Sequence, residues 1–84
     1  MKVLSLMVGP IMTNCYILCD EEAKVCAVID PGDEPERIAA MIASSGCTPT
    51  MLLLTHGHFD HYTGVAGLLE KWPELPVYIH RADA

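Results

Sequence analysis

The chain has 84 residues, of which 51% are hydrophobic, and its mean hydropathy is +0.30. This composition excludes an intrinsically disordered chain, and the length allows one small domain at most, spanning residues 1–84. Eleven acidic and five basic residues give a net charge of −6. Because no cluster of Lys or Arg occurs, we expect neither nucleic acid nor a membrane as a partner.

Three strands are predicted in the first part of the chain, over residues 2–8, 14–19 and 24–29. The breaker pair Gly9-Pro10 ends the first strand. A polar turn over residues 20–23 joins the second and third strands into a hairpin. The turn sequence Asp30-Pro31-Gly32-Asp33 then ends this hairpin.

A helix is predicted next, over about residues 34–45. Asp33 is the expected N-cap, Pro35 fits the first turn, and Gly46 is a natural C-terminal stop. One side of this helix carries an apolar stripe at helical spacing. The stripe consists of Ile38, Met41, Ile42 and Ser45.

The remaining elements are a strand over residues 50–54, a second helix over residues 63–72 and a short strand over residues 77–79. Pro73 ends the second helix. The order β-β-β-α-β-α-β predicts an α/β fold of the α+β type, a mixed β-sheet with helices on one face. The strand over residues 50–54 is apolar almost throughout, as in strands that are covered on both faces. Since no further element remains to cover the second face, we expect that face to be open.

The four cysteines form no CxxC pair and lie mostly in apolar segments, where a free cysteine behaves as a small hydrophobic residue. We therefore expect reduced thiols and a cytoplasmic location. A second metal cluster at Cys15, Cys19 and Cys26 is the less favoured alternative. The N-terminal apolar stretch is interrupted by Gly9-Pro10, which is typical of a strand and not of a signal peptide.

The most informative segment is Thr55-His56-Gly57-His58-Phe59-Asp60-His61, which directly follows an apolar strand. Imidazole and carboxylate groups suit zinc, and also iron or manganese. His56 and His58 are two positions apart, so both rings can turn toward one point. The side chains of Asp60 and His61 can then reach a second point a few ångströms away. The segment therefore predicts a metal site, with two metal ions as the favoured arrangement.

This HxHxDH pattern behind an apolar strand resembles the metallo-β-lactamase superfamily. Three further segments resemble its glyoxalase II-like branch, the hydroxyacylglutathione hydrolases: Asn14-Cys15-Tyr16, Asp30-Pro31-Gly32 and Val77-Tyr78-Ile79-His80. The resemblance implies the N-terminal half of an αββα sandwich. It also implies a metal-dependent hydrolase of thioesters, with a small-molecule substrate.

The resemblance assigns roles to individual residues. It implies that His56 and His58 bind a first zinc ion and that Asp60 and His61 bind a second. Asp60 would also orient the attacking water, and Asp30 would support the site without being a ligand. Apart from the resemblance, the position of Thr55 beside the ligands predicts that its hydroxyl donates to a ligand and holds it in place. His80 matches no ligand of the family.

In the family, two further histidines and a bridging aspartate complete the two metal sites, and this chain supplies none of them. We therefore expect the 84 residues alone to be inactive, although the parent protein is an enzyme. The alternative hypothesis is a catalytically incomplete half-domain that forms a homodimer through its open sheet face.

Overall fold

The structure is a computed structural model that describes residues 1–9, 13–55 and 63–79. Within these ranges the elements follow the predicted order β-β-β-α-β-α-β. They are β1 (Lys2–Val8), β2 (Thr13–Asp20), β3 (Val25–Ile29), α1 (Pro35–Ser45), β4 (Thr48–Leu54), α2 (Thr63–Lys71) and β5 (Val77–Ile79). Neither described helix combines the length and apolar character that crossing a bilayer requires.

The five strands form one mixed sheet in the order β1-β2-β3-β4-β5. The first three strands are antiparallel, whereas β3, β4 and β5 run parallel to one another. The parallel pairs are joined through α1 and α2, because a parallel connection must cross from one end of the sheet to the other. In the β3–β4 pair, Ile29 lies opposite Leu53. The carboxyl ends of these two strands therefore meet at the same edge.

The core lies between one face of the sheet and the two helices. Ile17, Val28 and Leu52 are completely buried on this face, as are Ile38 of α1 and Leu68 of α2. These side chains belong to a single apolar cluster, so both helices pack on the same side of the sheet. The prediction of a mixed sheet with helices on one face is confirmed.

The other face of the sheet is apolar but much less covered. Alternation along the strands places Val3, Met7 and Tyr16 on this face, and all three are exposed. Tyr78, which pairs with Leu53, is 53% exposed. The described helices leave this face open, as the sequence predicted.

The predicted N-cap at Asp33 is wrong. The N-cap residue is Glu34, which has a left-handed backbone (φ 53°) and no capping side-chain hydrogen bond. The Asp33 carboxylate instead accepts a hydrogen bond from the neighbouring Glu34 N–H at 2.8 Å. Asp33 is therefore part of the turn, and Pro35 is the first helical residue.

Strand boundaries also differ from the prediction: β2 is one residue longer at each end, and the starts of β3 and β4 are displaced. Lys24 lies outside β3, because it has a left-handed backbone (φ 59°) and its N–H closes the hairpin turn on the Asp20 carbonyl at 2.8 Å. The strand β4 begins two residues earlier than predicted, at Thr48. Its Pro49 is accommodated beside an irregularity in the pairing with β3, where the Thr50 hydroxyl donates to the Cys26 carbonyl at 3.0 Å.

Candidate metal centre

The predicted ligands His56, His58, Asp60 and His61 lie outside the described residues, as does His80. The structure does describe the residues that flank the ligand segment and the turn over residues 30–33 that contacts them, which together we call the frame. The segment starts after Leu54, the last residue of β4, and returns at Thr63, the first residue of α2. Both predicted supporting residues, Asp30 and Thr55, belong to this frame.

Asp30 and Thr55 form a two-point hydrogen-bonded pair. The Thr55 backbone N–H donates to Asp30 Oδ1 at 2.8 Å, and the Thr55 hydroxyl donates to Asp30 Oδ2 at 2.5 Å. Both carboxylate oxygens are thus engaged by the residue that immediately precedes His56. Hydrogen bonds to a charged acceptor are among the stronger ones in proteins. The pair therefore fixes the position and direction of the chain as it enters the ligand segment.

Asp30 is itself held firmly at the end of β3. It is 7% exposed, and its N–H donates to the Leu53 carbonyl at 2.9 Å. Its carbonyl accepts from the Gly32 N–H at 2.8 Å, which closes the turn. Its backbone is left-handed (φ 56°), a conformation that aspartate tolerates better than most residues. This conformation turns the chain away from the sheet while the carboxylate remains directed at Thr55.

The start of α2 packs against the same turn. Gly64 is buried, and a Cβ atom at this position would overlap the Pro31 carbonyl oxygen and lie 2.8 Å from the Asp33 nitrogen. Only glycine allows this approach of helix and turn. Both ends of the 56–62 segment are consequently anchored on the turn over residues 30–33, through hydrogen bonds at one end and backbone packing at the other.

Our reasoning from the sequence did not identify Gly64. A glycine inside a predicted helix was the available signal, since such a residue usually has a packing reason. The partner of Gly64, however, lies more than 30 positions earlier in the chain. Local patterns carry no information about contacts of that kind.

A second set of hydrogen bonds holds the end of β1 beside the start of α1. The Gly9 N–H donates to Glu34 Oε2 at 2.7 Å, and Arg37 Nη1 donates to the Met7 carbonyl at 2.6 Å. Glu34 and Arg37 also form an ion pair at 3.6 Å. These bonds hold the end of β1 against the residues that directly follow the turn over residues 30–33.

Cys15 faces the buried side of the sheet near Asp30. Burial, and secondarily the Asp30 charge, raises the pKa of the Cys15 thiol to about 12. Burial therefore favours the neutral thiol at this position, as expected for a small residue of the apolar core. All four cysteines are free, as expected.

Within residues 1–9, 13–55 and 63–79, no group of three or more His, Cys, Asp or Glu side chains is arranged to hold a metal ion. The alternative of a metal cluster at Cys15, Cys19 and Cys26 is thus not supported. Three imidazoles and a carboxylate over residues 56–61 remain the donor set that suits zinc, iron or manganese.

Comparison with known proteins shows the family to which the chain belongs. The family model of the metallo-beta-lactamase superfamily matches residues 8–84. The chain is 42% identical over 83 residues to the probable metallo-hydrolase YqgX of Bacillus subtilis (strain 168), covering 99% of this chain and 38% of YqgX. It is 41% identical over 71 residues to the hydroxyacylglutathione hydrolase of Photorhabdus laumondii, covering 82% of this chain and 28% of that enzyme. The chain therefore spans less than two fifths of the length of these relatives.

Solved structures show the same relationship. The B3 metallo-beta-lactamase BLEG-1 superposes with a TM-score of 0.82 at 34% identity, over 94% of this chain and 37% of BLEG-1. The protein TTHA1623 in a di-iron-bound form superposes with a TM-score of 0.78 at 42% identity, over 95% of this chain and 39% of that protein. With its fold, its strand-exit turn and the family match over residues 8–84, the chain belongs to the metallo-β-lactamase superfamily.

Proposed function

We propose that residues 56–61 supply four ligands to a dinuclear metal centre in a thioester hydrolase. His56 and His58 would bind one metal ion, and Asp60 and His61 the other. The observation that carries this proposal is the two-point pair between Asp30 and Thr55, which anchors the chain directly before His56. Catalytic ligands need a rigid base, and the buried turn at the end of β3 provides one.

The residues have distinct roles in this proposal. Asp60 is both a ligand and the group that orients the attacking water. Asp30 is a positioning residue that acts through Thr55 and does not contact the metal ions. The metal ions, when bound, would polarise the substrate carbonyl and increase the acidity of the water.

The substrate class is a hydroxyacyl thioester, such as a glutathione conjugate. This proposal is supported by relatives named hydroxyacylglutathione hydrolase, which are 40–41% identical to this chain over 71–76 residues. The acidic net charge of −6 gives no support to a nucleic-acid substrate.

Zinc is the proposed metal, with iron and manganese as the other candidates. Imidazole-rich sites with one carboxylate accept all three ions. The structural relative TTHA1623 is described in a di-iron-bound form. Elemental analysis of chain purified without added metal distinguishes these ions.

The role of the Asp30–Thr55 pair is tested by metal titration of matched variants. Thr55→Val removes the hydroxyl that donates to Asp30, whereas Thr55→Ser keeps it. Loss of a group that orients ligands typically weakens metal affinity about 10- to 100-fold. We expect Thr55→Val to weaken zinc binding by about this factor and Thr55→Ser to remain within about threefold of the original chain.

The ligand assignment has its own test, because zinc binding by the original chain must depend on the proposed side chains. His58→Ala and Asp60→Ala should each abolish most binding, whereas Glu36→Gln, at an exposed position of α1, should not. Zinc binding that survives both substitutions at 58 and 60 would contradict the assignment.

The activity of residues 1–84 alone follows from the ligand count. Two histidines leave a zinc site short of the three protein ligands that a catalytic site usually has. We expect negligible thioester hydrolysis by this chain. Hydrolysis that is measurable and disappears on chelation would show that the four ligands suffice.

A second candidate function is self-association through the open sheet face. The exposed apolar side chains Val3, Met7, Tyr16 and Tyr78 favour it, since exposed apolar patches commonly mark interaction sites. A second copy of the chain would cover this face in a symmetric dimer. In light scattering after size exclusion we expect a dimer, and Val3→Lys should convert it to a monomer. A monomer of the original chain at micromolar concentration would rule this candidate out.

We also propose a cytoplasmic location. The four free cysteines, all buried, support a reducing compartment.

A further inference from the structure

Three of the four cysteines meet at the end of the sheet opposite the proposed metal centre. Cys19 lies near the end of β2 and is paired directly with Cys26, at the start of β3. Cys47 follows α1 and precedes β4. All three side chains belong to the apolar core cluster. We call Cys19, Cys26 and Cys47 the thiol cluster.

The local backbone brings Cys47 to this cluster. Gly46 ends α1 with a left-handed backbone (φ 76°), and the Cys47 N–H then donates to Ser45 Oγ at 3.1 Å. The next residue, Thr48, donates its N–H to the Lys24 carbonyl at 2.9 Å, beside the start of β3. Cys47 is thus held between the helix and the β2–β3 hairpin.

The thiols interact with one another as well as with the backbone. Burial raises the pKa of Cys19, and the neighbouring Cys47 thiol raises it further. Burial raises the pKa of Cys26 to about 11, with smaller contributions from Cys19 and Cys47. Each member of the cluster therefore lies within interaction range of the other two.

We propose that Cys19 and Cys47 form a reversible disulfide bond in response to a low-molecular-weight disulfide such as oxidised glutathione. Nothing in the proposed hydrolase function requires this site, and its failure would leave that function untouched. The bond would tie the α1–β4 connection covalently to β2.

The chemistry is a pair of thiol–disulfide exchanges. The Cys47 thiolate attacks one sulfur of oxidised glutathione, which forms a mixed disulfide and releases one glutathione thiolate. The Cys19 thiolate then attacks the Cys47 sulfur, which forms the protein disulfide and releases the second glutathione. Two protein thiols are oxidised, one glutathione disulfide is reduced, and both thiol protons pass to the released glutathione.

Geometry favours Cys47 as the first thiol to react and Cys19 as its partner. Cys47 is 8% exposed, compared with 1% for Cys19 and 2% for Cys26. Directly paired strand residues have Cβ atoms about 4.5–5.5 Å apart. A disulfide needs about 3.8 Å, so linkage of Cys19 to Cys26 would require the hairpin to distort. Cys47 lies on the α1–β4 connection and is not itself a paired strand residue.

The experiment is equilibration of the purified 84-residue chain with oxidised glutathione, followed by acid quenching, unfolding and alkylation. We expect two alkylated cysteines per chain after oxidation and four before it. Non-reducing peptide mass mapping should link Cys19 to Cys47, and excess dithiothreitol should restore four alkylated cysteines.

Three matched variants test which thiols form the bond. Cys47→Ser and Cys19→Ser should each abolish the link, whereas Cys15→Ser, with a buried thiol outside the cluster, should leave it intact. Circular dichroism checks that each variant is folded, and either of the first two variants alone suffices for the test. Four alkylated cysteines after oxidation, a Cys19–Cys26 link, or a stable glutathione adduct on Cys47 would each overturn the proposal.

Discussion

The two ends of the sheet differ sharply in chemistry. At the carboxyl ends of β3 and β4, a buried carboxylate on Asp30 accepts two hydrogen bonds from Thr55. At the opposite end, the thiol cluster is buried without any charged side chain among its members. One end of this small sheet therefore positions the ligand segment, whereas the thiols at the other end pack in the core.

The physical reason lies in the cost of burial. A buried carboxylate is tolerated only where hydrogen bonds replace its lost water, so Asp30 requires Thr55 at a defined place. A thiol loses little on burial, because it behaves as a small hydrophobic group. Small substitutions should therefore lower the free energy of unfolding more at the Asp30 end of the sheet than at the thiol cluster.

The largest effect should come from Gly64→Ala at the Asp30 end. The added Cβ would overlap the Pro31 carbonyl oxygen, so helix and turn must separate. Overpacking of this kind typically costs about 1–3 kcal/mol, and we expect the upper part of that range. Urea denaturation measures the loss. Ala66→Ser, at an exposed position of α2, is the control and should change the free energy of unfolding by less than about 0.5 kcal/mol.

A smaller effect should follow from Asp30→Asn. Asparagine tolerates the left-handed backbone, but its amide has only one acceptor oxygen for the two donors of Thr55. Leaving one buried group without its partner costs about 1–3 kcal/mol. Urea denaturation should show a loss of about 2 kcal/mol, compared with about 1 kcal/mol or less for Cys26→Ala at the thiol end. Equal losses at both positions would remove the distinction between the two ends.

The third prediction concerns the thiol end. Here we expect the smallest change in the free energy of unfolding at neutral pH and a specific change at alkaline pH. Because burial raises the pKa of Cys26 from 9.0 to about 11, the folded state holds its proton more tightly than the unfolded state. This contribution to stability is complete below about pH 9 and is lost as the pH rises through about 11. We expect the free energy of unfolding to fall between these values, and to fall less steeply in Cys26→Ala. Parallel pH profiles of the two chains would contradict this.

Much of the fold could be predicted from the sequence, because it depends on local patterns. The apolar stripe of α1 and the turn at Asp30-Pro31-Gly32 mark their elements without reference to distant residues. One error was local, at Lys24, whose N–H closes the hairpin turn on the Asp20 carbonyl, and another involves a distant contact. Glu34, the N-cap residue, accepts a hydrogen bond from the Gly9 N–H, 25 positions away.

The candidate site was predicted less completely. The resemblance indicated Asp30 as a supporting residue, and the Thr55 hydroxyl beside the ligand segment indicated Thr55, but neither indicated that the two residues contact each other. They are also 25 positions apart, and the parallel pairing of β3 with β4 brings them together. The roles of His56, His58, Asp60 and His61 remain predictions, since these residues lie outside the described ranges.

The strand order β1-β2-β3-β4-β5 has a consequence for the synthesis of the chain. Each strand pairs with the one made just before it, so the sheet can grow as the polypeptide leaves the ribosome. No strand has to wait for a later one to be inserted between it and its neighbour. The β2–β3 hairpin joins nearby residues, whereas the parallel β3–β4 pairing joins residues 23–24 positions apart and should form later.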